Sequence, residues 1–249
     1  MDDNEKKAKT PKKSTIIAGL AITFVIMFAA SIVGGIIGGI IYNLALNYAN
    51  NCNEPYYPEY QFDPNPMCDK PVIYIYPEEE TAVRVKLDLD GELTCTYPKY
   101  DNGWEVLAKP DGTLLDTETN KEYNYLYWEG ISDVKVDETI GYCVKGTDTA
   151  EFLETKLNEL GLSRKEANEF IVYWLPQMEV NEYNYISFDT EDYENRAELS
   201  ITPAPDNVIR VFMTWKALDE PVELTEPLID TPVRDGFTVV EWGGTQIKG

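Results

Sequence analysis

Apolar and polar residues alternate along much of the chain after residue 70, a pattern typical of half-buried β-strands. Val83, Val85, Leu87 and Leu89 alternate with charged residues, and a two-residue turn at 90–91 follows them. Similar runs predict strands at 71–76, 92–97, 104–109, 113–115, 122–129, 183–188, 197–202, 208–215 and 237–242.

Two amphipathic helices are predicted between these groups of strands. The pairs Asp148/Glu151 and Ser163/Glu166 each have the spacing of a capping box. We expect the second helix to end by Pro176, because proline disrupts the hydrogen bonding of a helix interior. Strands on both sides of a central helical hairpin predict an α+β fold, rich in β-structure, for the C-terminal domain.

One stretch near the N-terminus is apolar throughout. Residues 15–42 contain no charged side chain, and about 20 such residues suffice to span a bilayer as a helix. We therefore predict a single transmembrane helix over residues 15–43, after a tail of residues 1–14. A Pro/Tyr-rich stalk, 44–69, leads to the domain at 70–249. A cleaved signal peptide is the alternative, but the apolar run continues well beyond its potential cleavage site.

Charge is distributed unevenly along the chain. The tail contains five lysines and three acidic residues, whereas the whole chain has 44 acidic residues and a net charge of −23. The positive-inside rule predicts that the helix lies in the cell membrane, with the N-terminus in the cytoplasm and the C-terminal domain extracellular. Such acidity excludes nucleic acid as a partner. Small residues spaced four apart offer a homodimer contact in the membrane, at Gly34, Gly35, Gly38 and Gly39.

The four cysteines all follow the predicted membrane segment. Because exported chains meet oxidising conditions, we expect the disulfides Cys52–Cys68 and Cys95–Cys143. Four unpaired thiols are the alternative.

The chain contains no histidine. This excludes Ser-His-Asp and Cys-His catalysis and histidine-ligated metal sites, and it leaves acid–base chemistry to carboxylates, lysine or tyrosine. The acidic hairpin around Asp90 suggests calcium, but the twelfth position of an EF-hand loop would be Lys99 instead of an acid. We predict no metal and no cofactor.

Aromatic residues near carboxylates provide the candidate binding site. Flat aromatic faces pack against sugar rings, although ordinary core packing uses the same residues. The candidates are Tyr123, Tyr125, Tyr127, Trp128, Trp174 and Trp242. Glu129 and Glu241 are the acids to test for hydrolysis, since two carboxylates suffice to cleave a glycoside.

Several short stretches resemble a family of uncharacterised bacterial and fungal proteins. They are KPVIYIYP (70–77), PDGTL (110–114), YLYWE (125–129), YWLP (173–176), TPAPD (202–206), RVFM (210–213) and EWGG (241–244). The resemblance implies one contiguous domain and no known activity.

The predicted function is therefore a non-enzymatic surface module that binds a protein or a cell-envelope glycan. A carboxylate-dependent glycan hydrolase is the alternative, and a structural envelope component without a small ligand is a third interpretation.

Overall fold

The computed structural model describes residues 67–188 and 190–247, and β-strands are the main regular structure in this part of the chain. The strands are β1 (Met67–Tyr76), β2 (Thr81–Leu89), β3 (Glu92–Tyr97), β4 (Trp104–Ala108), β5 (Leu114–Asp116), β6 (Lys121–Tyr123), β7 (Leu126–Ile131), β8 (Tyr142–Lys145), β9 (Tyr183–Ser187), β10 (Ala197–Thr202), β11 (Asn207–Leu218) and β12 (Thr238–Gln246). The helices are α1 (Thr149–Glu159), α2 (Arg164–Met178) and α3 (Glu191–Arg196).

These strands form two sheets. The larger sheet has seven strands in the order β3-β7-β1-β12-β11-β9-β8, and the smaller has five in the order β10-β2-β4-β5-β6. Strands β11 and β12 run parallel, whereas the other paired strands run antiparallel. The parallel pair requires a long connection, which the segment between Leu218 and Thr238 provides.

The larger sheet is covered on both faces. Strand β1 shows this directly: Ile73 and Ile75 belong to the core between the two sheets, and Val72 and Tyr74 belong to a second core beneath α1 and α2. A strand buried on both sides reads as a continuous apolar run, which explains PVIYIY. By contrast, β2 of the smaller sheet buries only every second residue, and its other face is exposed.

Helix α2 packs on the outer face of the larger sheet through Phe170, Trp174 and Met178. Its predicted capping box is confirmed, with the Ser163 hydroxyl accepting from Glu166 N–H and the Glu166 carboxylate accepting from Ser163 N–H. The predicted end at Pro176 is wrong, because the helix continues to Met178 and tolerates the proline in its last turn.

The capping box predicted for α1 is also wrong. Asp148 is its N-cap residue but makes no side-chain capping hydrogen bond. A 3-10 turn at Gly146–Asp148 precedes the helix, and Thr149 bonds the Lys145 carbonyl instead.

Gly244 shows why β12 and α2 lie so close together. A Cβ at this position would lie 2.6 Å from the Met213 carbonyl oxygen and 2.9 Å from the Trp174 ring. Only glycine permits that approach, so the second glycine of the EWGG stretch has a packing role.

The predicted fold class, α+β with a transmembrane helix, requires correction. The described residues form a mainly β fold with few helices: twelve strands make up two sheets, and the longest of the three helices has 15 residues. None of the helices in residues 67–188 and 190–247 is long and apolar enough to cross a membrane. The tail 1–14, the segment 15–43 with the predicted contact at Gly34, Gly35, Gly38 and Gly39, and the stalk up to residue 66 lie outside the described residues.

The predicted disulfides are also wrong where they can be followed. Cys68, Cys95 and Cys143 are free thiols, and Cys52 lies outside the described residues. Cys95 is on β3 and Cys143 on β8, the two opposite edges of the larger sheet. Six strand spacings of about 4.8 Å separate those edges, far beyond the reach of a disulfide. Cys68 is buried in the core between the sheets.

Candidate functional site

The three candidate tryptophans lie in the hydrophobic cores. Trp128 is buried between the two sheets, and Trp174 and Trp242 are buried between the larger sheet and the helices. None of these three indole rings offers a face to a ligand at the surface.

The three candidate tyrosines do not share one face. Tyr123 ends β6 of the smaller sheet and packs towards the core between the sheets, beside Tyr97 at 5.3 Å. The chain then bends at Asn124 before β7 begins. Tyr125 and Tyr127 pack on the opposite, helix-covered side of the larger sheet. The single strand predicted over 122–129 is therefore two strands in different sheets.

The two candidate acids lie on opposite faces of the larger sheet. Glu241 points into the core between the sheets, where its carboxylate accepts from Trp128 Nε1 at 3.1 Å and from Arg210 Nε at 2.6 Å. Glu129 follows Trp128 along β7, so its side chain points to the helix side. The structure therefore does not bring Glu129 and Glu241 together around one substrate bond.

Glu129 instead belongs to a cluster beside α2. The aromatic members are contributed by β7, by the residue before it and by α2, whereas the charged members come from the start of β1 and from Glu129 on β7. We call this group the Lys70 site: Asp69, Lys70, Tyr125, Tyr127, Glu129 and Tyr173.

Tyrosine rings surround the Lys70 ammonium. Lys70 Nζ lies 5.9 Å from the ring centroid of Tyr125, 5.7 Å from that of Tyr127 and 5.4 Å from that of Tyr173. All three distances lie within the range of cation–π attraction, which extends to about 6 Å.

Lys70 has an uncommon backbone conformation. Its φ angle is +59°, in the left-handed region that costs a residue with a Cβ of order 1 kcal/mol or more. The pairing of β1 with both neighbouring strands shifts register between residues 68 and 72, as in a β-bulge. Bulges re-aim side chains next to functional sites, and this one directs Lys70 towards the tyrosines.

Asp69 and Glu129 form an acidic pair in the same site. Burial, together with the charge of Glu129, raises the pKa of Asp69 from 3.8 to about 7. The Asp69 carboxyl group therefore keeps its proton to a higher pH than an ordinary aspartate. The pKa of Tyr127 is also raised, first by burial and then by the hydrogen bond that its hydroxyl donates to Glu129.

Neighbouring contacts fix the tyrosine rings in place. Tyr125 meets Tyr74 edge-on at 5.3 Å, and the Tyr74 hydroxyl donates to Glu169 Oε2 at 2.7 Å. Tyr173 meets Trp174 edge-on at 4.8 Å. The buried candidate Trp174 thus supports the site from beneath without lining it.

Sequence reasoning missed Asp69, Lys70 and Tyr173. The first was assigned to the stalk, and the other two had no visible partner in the sequence. A signal existed nevertheless, because three of the stretches that carry the family resemblance, 70–77, 125–129 and 173–176, each contribute a side chain to this site.

A second concave region lies near the opposite edge of the larger sheet. It has a volume of about 630 Å³ and is lined by Cys143, Phe152, Lys156, Tyr183 and Val222, among others. Lys156 there is paired with Glu159 at 2.9 Å, and the carboxylates of Asp148 and Glu151 also line the region. The Lys70 site has the more distinctive chemistry, because three tyrosine rings there surround one ammonium group. Within the described ranges, no three acidic or thiol side chains converge as a metal-binding group.

Comparison with known proteins adds one relative. No protein-family model and no solved structure matches the chain. The chain is similar to an uncharacterised protein. That relative, "Uncharacterized protein in bglA 3'region" from Butyrivibrio fibrisolvens, is 44% identical over 64 residues, which are 24% of this chain and 65% of the relative. The chain thus spans just under two thirds of its length.

Proposed function

We propose that this domain is a non-enzymatic binding module that recognises a glycan through the Lys70 site. The observation that carries the proposal is the placement of three partly exposed tyrosine rings beside two carboxylates, Asp69 and Glu129. Aromatic faces pack against the C–H face of a sugar, and carboxylates accept hydrogen bonds from its hydroxyl groups. The high negative charge of the chain favours a neutral or cationic glycan over an anionic one.

The family relationship supports the same surface. We propose that the chain belongs to the bacterial and fungal group named above, and three of the shared stretches meet at this site. An extracellular location suits a ligand of the cell envelope and stays a prediction.

The test is binding of the full-length chain to a panel of neutral and amino-bearing oligosaccharides by calorimetry. Tyr127→Ala should weaken binding roughly threefold to tenfold, because it removes one stacking face. Tyr127→Phe, which keeps the ring, should retain most of the affinity. Tyr183→Ala, on β9, is the matched control. Equal binding by Tyr127→Ala and Tyr183→Ala, or no binding by any oligosaccharide, would reject the proposal.

A carboxylate-dependent hydrolase is the second candidate, and one observation favours it with a pair of acids different from the predicted pair. Asp69, whose pKa is raised to about 7, retains a proton that a general acid could donate, and Glu129 lies near enough to influence that pKa. The pair to test is therefore Asp69 with Glu129. Release of reducing sugar by the wild type, and its loss in Asp69→Asn with binding retained, would establish hydrolysis. If no panel member is cleaved, this alternative should be dropped.

A further inference from the structure

Aromatic rings surround the Lys70 ammonium on several sides. Its three nearest ring centroids lie 5.4 to 5.9 Å away. No acidic side chain in the part of the chain that the structure describes forms an ion pair with it within 4 Å. This differs from Arg234, which is paired with the buried Glu166 carboxylate at 2.7 Å.

Three rings around a cation form an aromatic cage, the arrangement that recognises ammonium groups. The rings belong to different parts of the fold, and each is braced. Tyr125 packs edge-on against Tyr74, Tyr173 packs edge-on against Trp174, and Tyr127 packs against the core beneath the helices. The cage is thus formed by the fold and does not depend on Lys70 for its shape.

Acidic groups surround the cage and favour a positive ligand. Asp69 and Glu129 lie at its β-sheet side, and Glu169 lies at the α2 side through its bond with Tyr74. The cage therefore combines aromatic faces for a cation with acceptors for neighbouring hydroxyl groups.

Lys70 itself is suited to leaving the cage. Its ammonium is attached by a flexible four-carbon stem, the residue is partly exposed, and its backbone is in the strained left-handed region. A ligand ammonium can take its place while the Lys70 side chain moves into solvent.

We propose that the Lys70 site is an ammonium-binding cage occupied by the chain's own lysine, and that its ligand is an amino sugar whose protonated amine displaces Lys70. This inference rests on the proposed glycan-binding function and specifies its chemistry. The sugar ring would stack on tyrosine, its hydroxyl groups would bond the carboxylates, and its amine would enter the cage.

The test compares full-length wild type with Lys70→Gly, which empties the cage and accepts the positive φ without steric cost. Lys70→Ala is a second variant, and Lys86→Ala, an exposed lysine on β2, is the control. The probes are a glucosamine hexamer, an N-acetylglucosamine hexamer, tetramethylammonium chloride and a lysine-containing peptide, at constant ionic strength.

Both Lys70 variants should bind the glucosamine hexamer about five- to tenfold more tightly than wild type, if Lys70 fills the cage for roughly four fifths to nine tenths of the time. Tetramethylammonium should compete with the glucosamine hexamer for binding. Adding Tyr127→Ala to either Lys70 variant should abolish the gain in affinity. Lys86→Ala should behave like wild type.

Three results would overturn the inference. The first is equal affinity of Lys70→Gly and wild type for the glucosamine hexamer. The second is an equal gain in affinity for the N-acetylated hexamer. The third is a gain in affinity seen only with the peptide, which would indicate a protein ligand. A fourth result would also overturn the inference but leave the proposed glycan-binding function intact: Tyr127-dependent binding of the N-acetylated hexamer without ammonium competition.

Discussion

Arg210 and Glu241 face each other on the parallel strands β11 and β12, with Arg210 Nε 2.6 Å from Glu241 Oε2 in the core between the two sheets. The side chains are only 7% and 1% exposed. The Arg210 guanidinium also lies 4.7 Å above the Tyr193 ring, which stacks on Phe212 at 3.9 Å. The pair therefore links the two central strands of the larger sheet to helix α3.

Replacing Arg210 by Met should destabilise the domain strongly. It would leave the Glu241 carboxylate buried beside the Trp128 indole without its charged partner, and breaking a buried ion pair costs about 3–5 kcal/mol. Urea unfolding measures this free energy. The matched control is Arg84→Met, whose pair with Glu105 is largely exposed and should change stability by less than about 1 kcal/mol. Similar losses in the two variants would show that the buried pair has no special weight.

Arg234 should be needed to hold the long segment before β12 against helix α2. Its guanidinium contacts both oxygens of the fully buried Glu166 carboxylate, at 2.7 and 3.0 Å, and lies over the Tyr76 ring. Arg234→Met should cost about 2–4 kcal/mol, because Glu166 would lose its charged partner. Hydrogen exchange should also become faster in residues 219–236.

The control for that experiment is Arg164→Met, because Arg164 lies at the start of α2, as does Glu166. Arg164 pairs with Glu154 on the exposed surface, so its loss should change stability by about 0.5 kcal/mol or less. Unchanged exchange in residues 219–236 of Arg234→Met would contradict the proposed attachment.

Asp69 should make stability fall as the pH rises from about 4 to about 7. Its folded pKa is raised, first by burial and then by Glu129, so in this window the folded state holds a proton that the unfolded chain has released. Asp69→Asn removes this effect. Relative to wild type, the variant should therefore gain roughly 1–2 kcal/mol between pH 5 and pH 8, after allowance for the partial exposure of the group.

Urea unfolding at both pH values measures that difference, with Asp88→Asn on the exposed face of β2 as the control. Glu129→Gln should lower the pKa of Asp69 in a carboxyl NMR titration. If the free energies of unfolding of wild type and Asp69→Asn change in parallel with pH, Asp69 titrates like an ordinary aspartate.

The free thiols should differ in reactivity according to their burial. A short pulse of iodoacetamide on the native chain should label the exposed Cys95 first and Cys143 more slowly. Cys68 should react only after unfolding, because burial, followed by the charges of Glu241 and Asp69, raises the pKa of its thiol to about 12. Peptide mass spectrometry distinguishes the sites. A Cys95–Cys143 crosslinked peptide would contradict the strand order of the larger sheet.

Short-range signals in the sequence located many of the elements. Alternation identified β2, and the Ser163/Glu166 spacing identified the start of α2. These signals depend on residues a few positions apart, so they are visible in a single chain. The break between Tyr123 and β7 was missed, because alternation continues across Asn124 while the chain passes from one sheet to the other.

The sequence by itself determined where apolar runs and turns fall, which capping pair begins α2, and that histidine chemistry is absent. Only the tertiary structure decided that Trp128, Trp174 and Trp242 are core residues. It also decided that Glu129 and Glu241 lie on opposite faces of the larger sheet. Finally, it brought Lys70 to tyrosines that lie 55 to 103 positions further along the chain. The physical reason is that alternation assigns a residue to one side of its own strand. It does not specify which strands become neighbours, or which layer covers each face of a sheet that is buried on both sides.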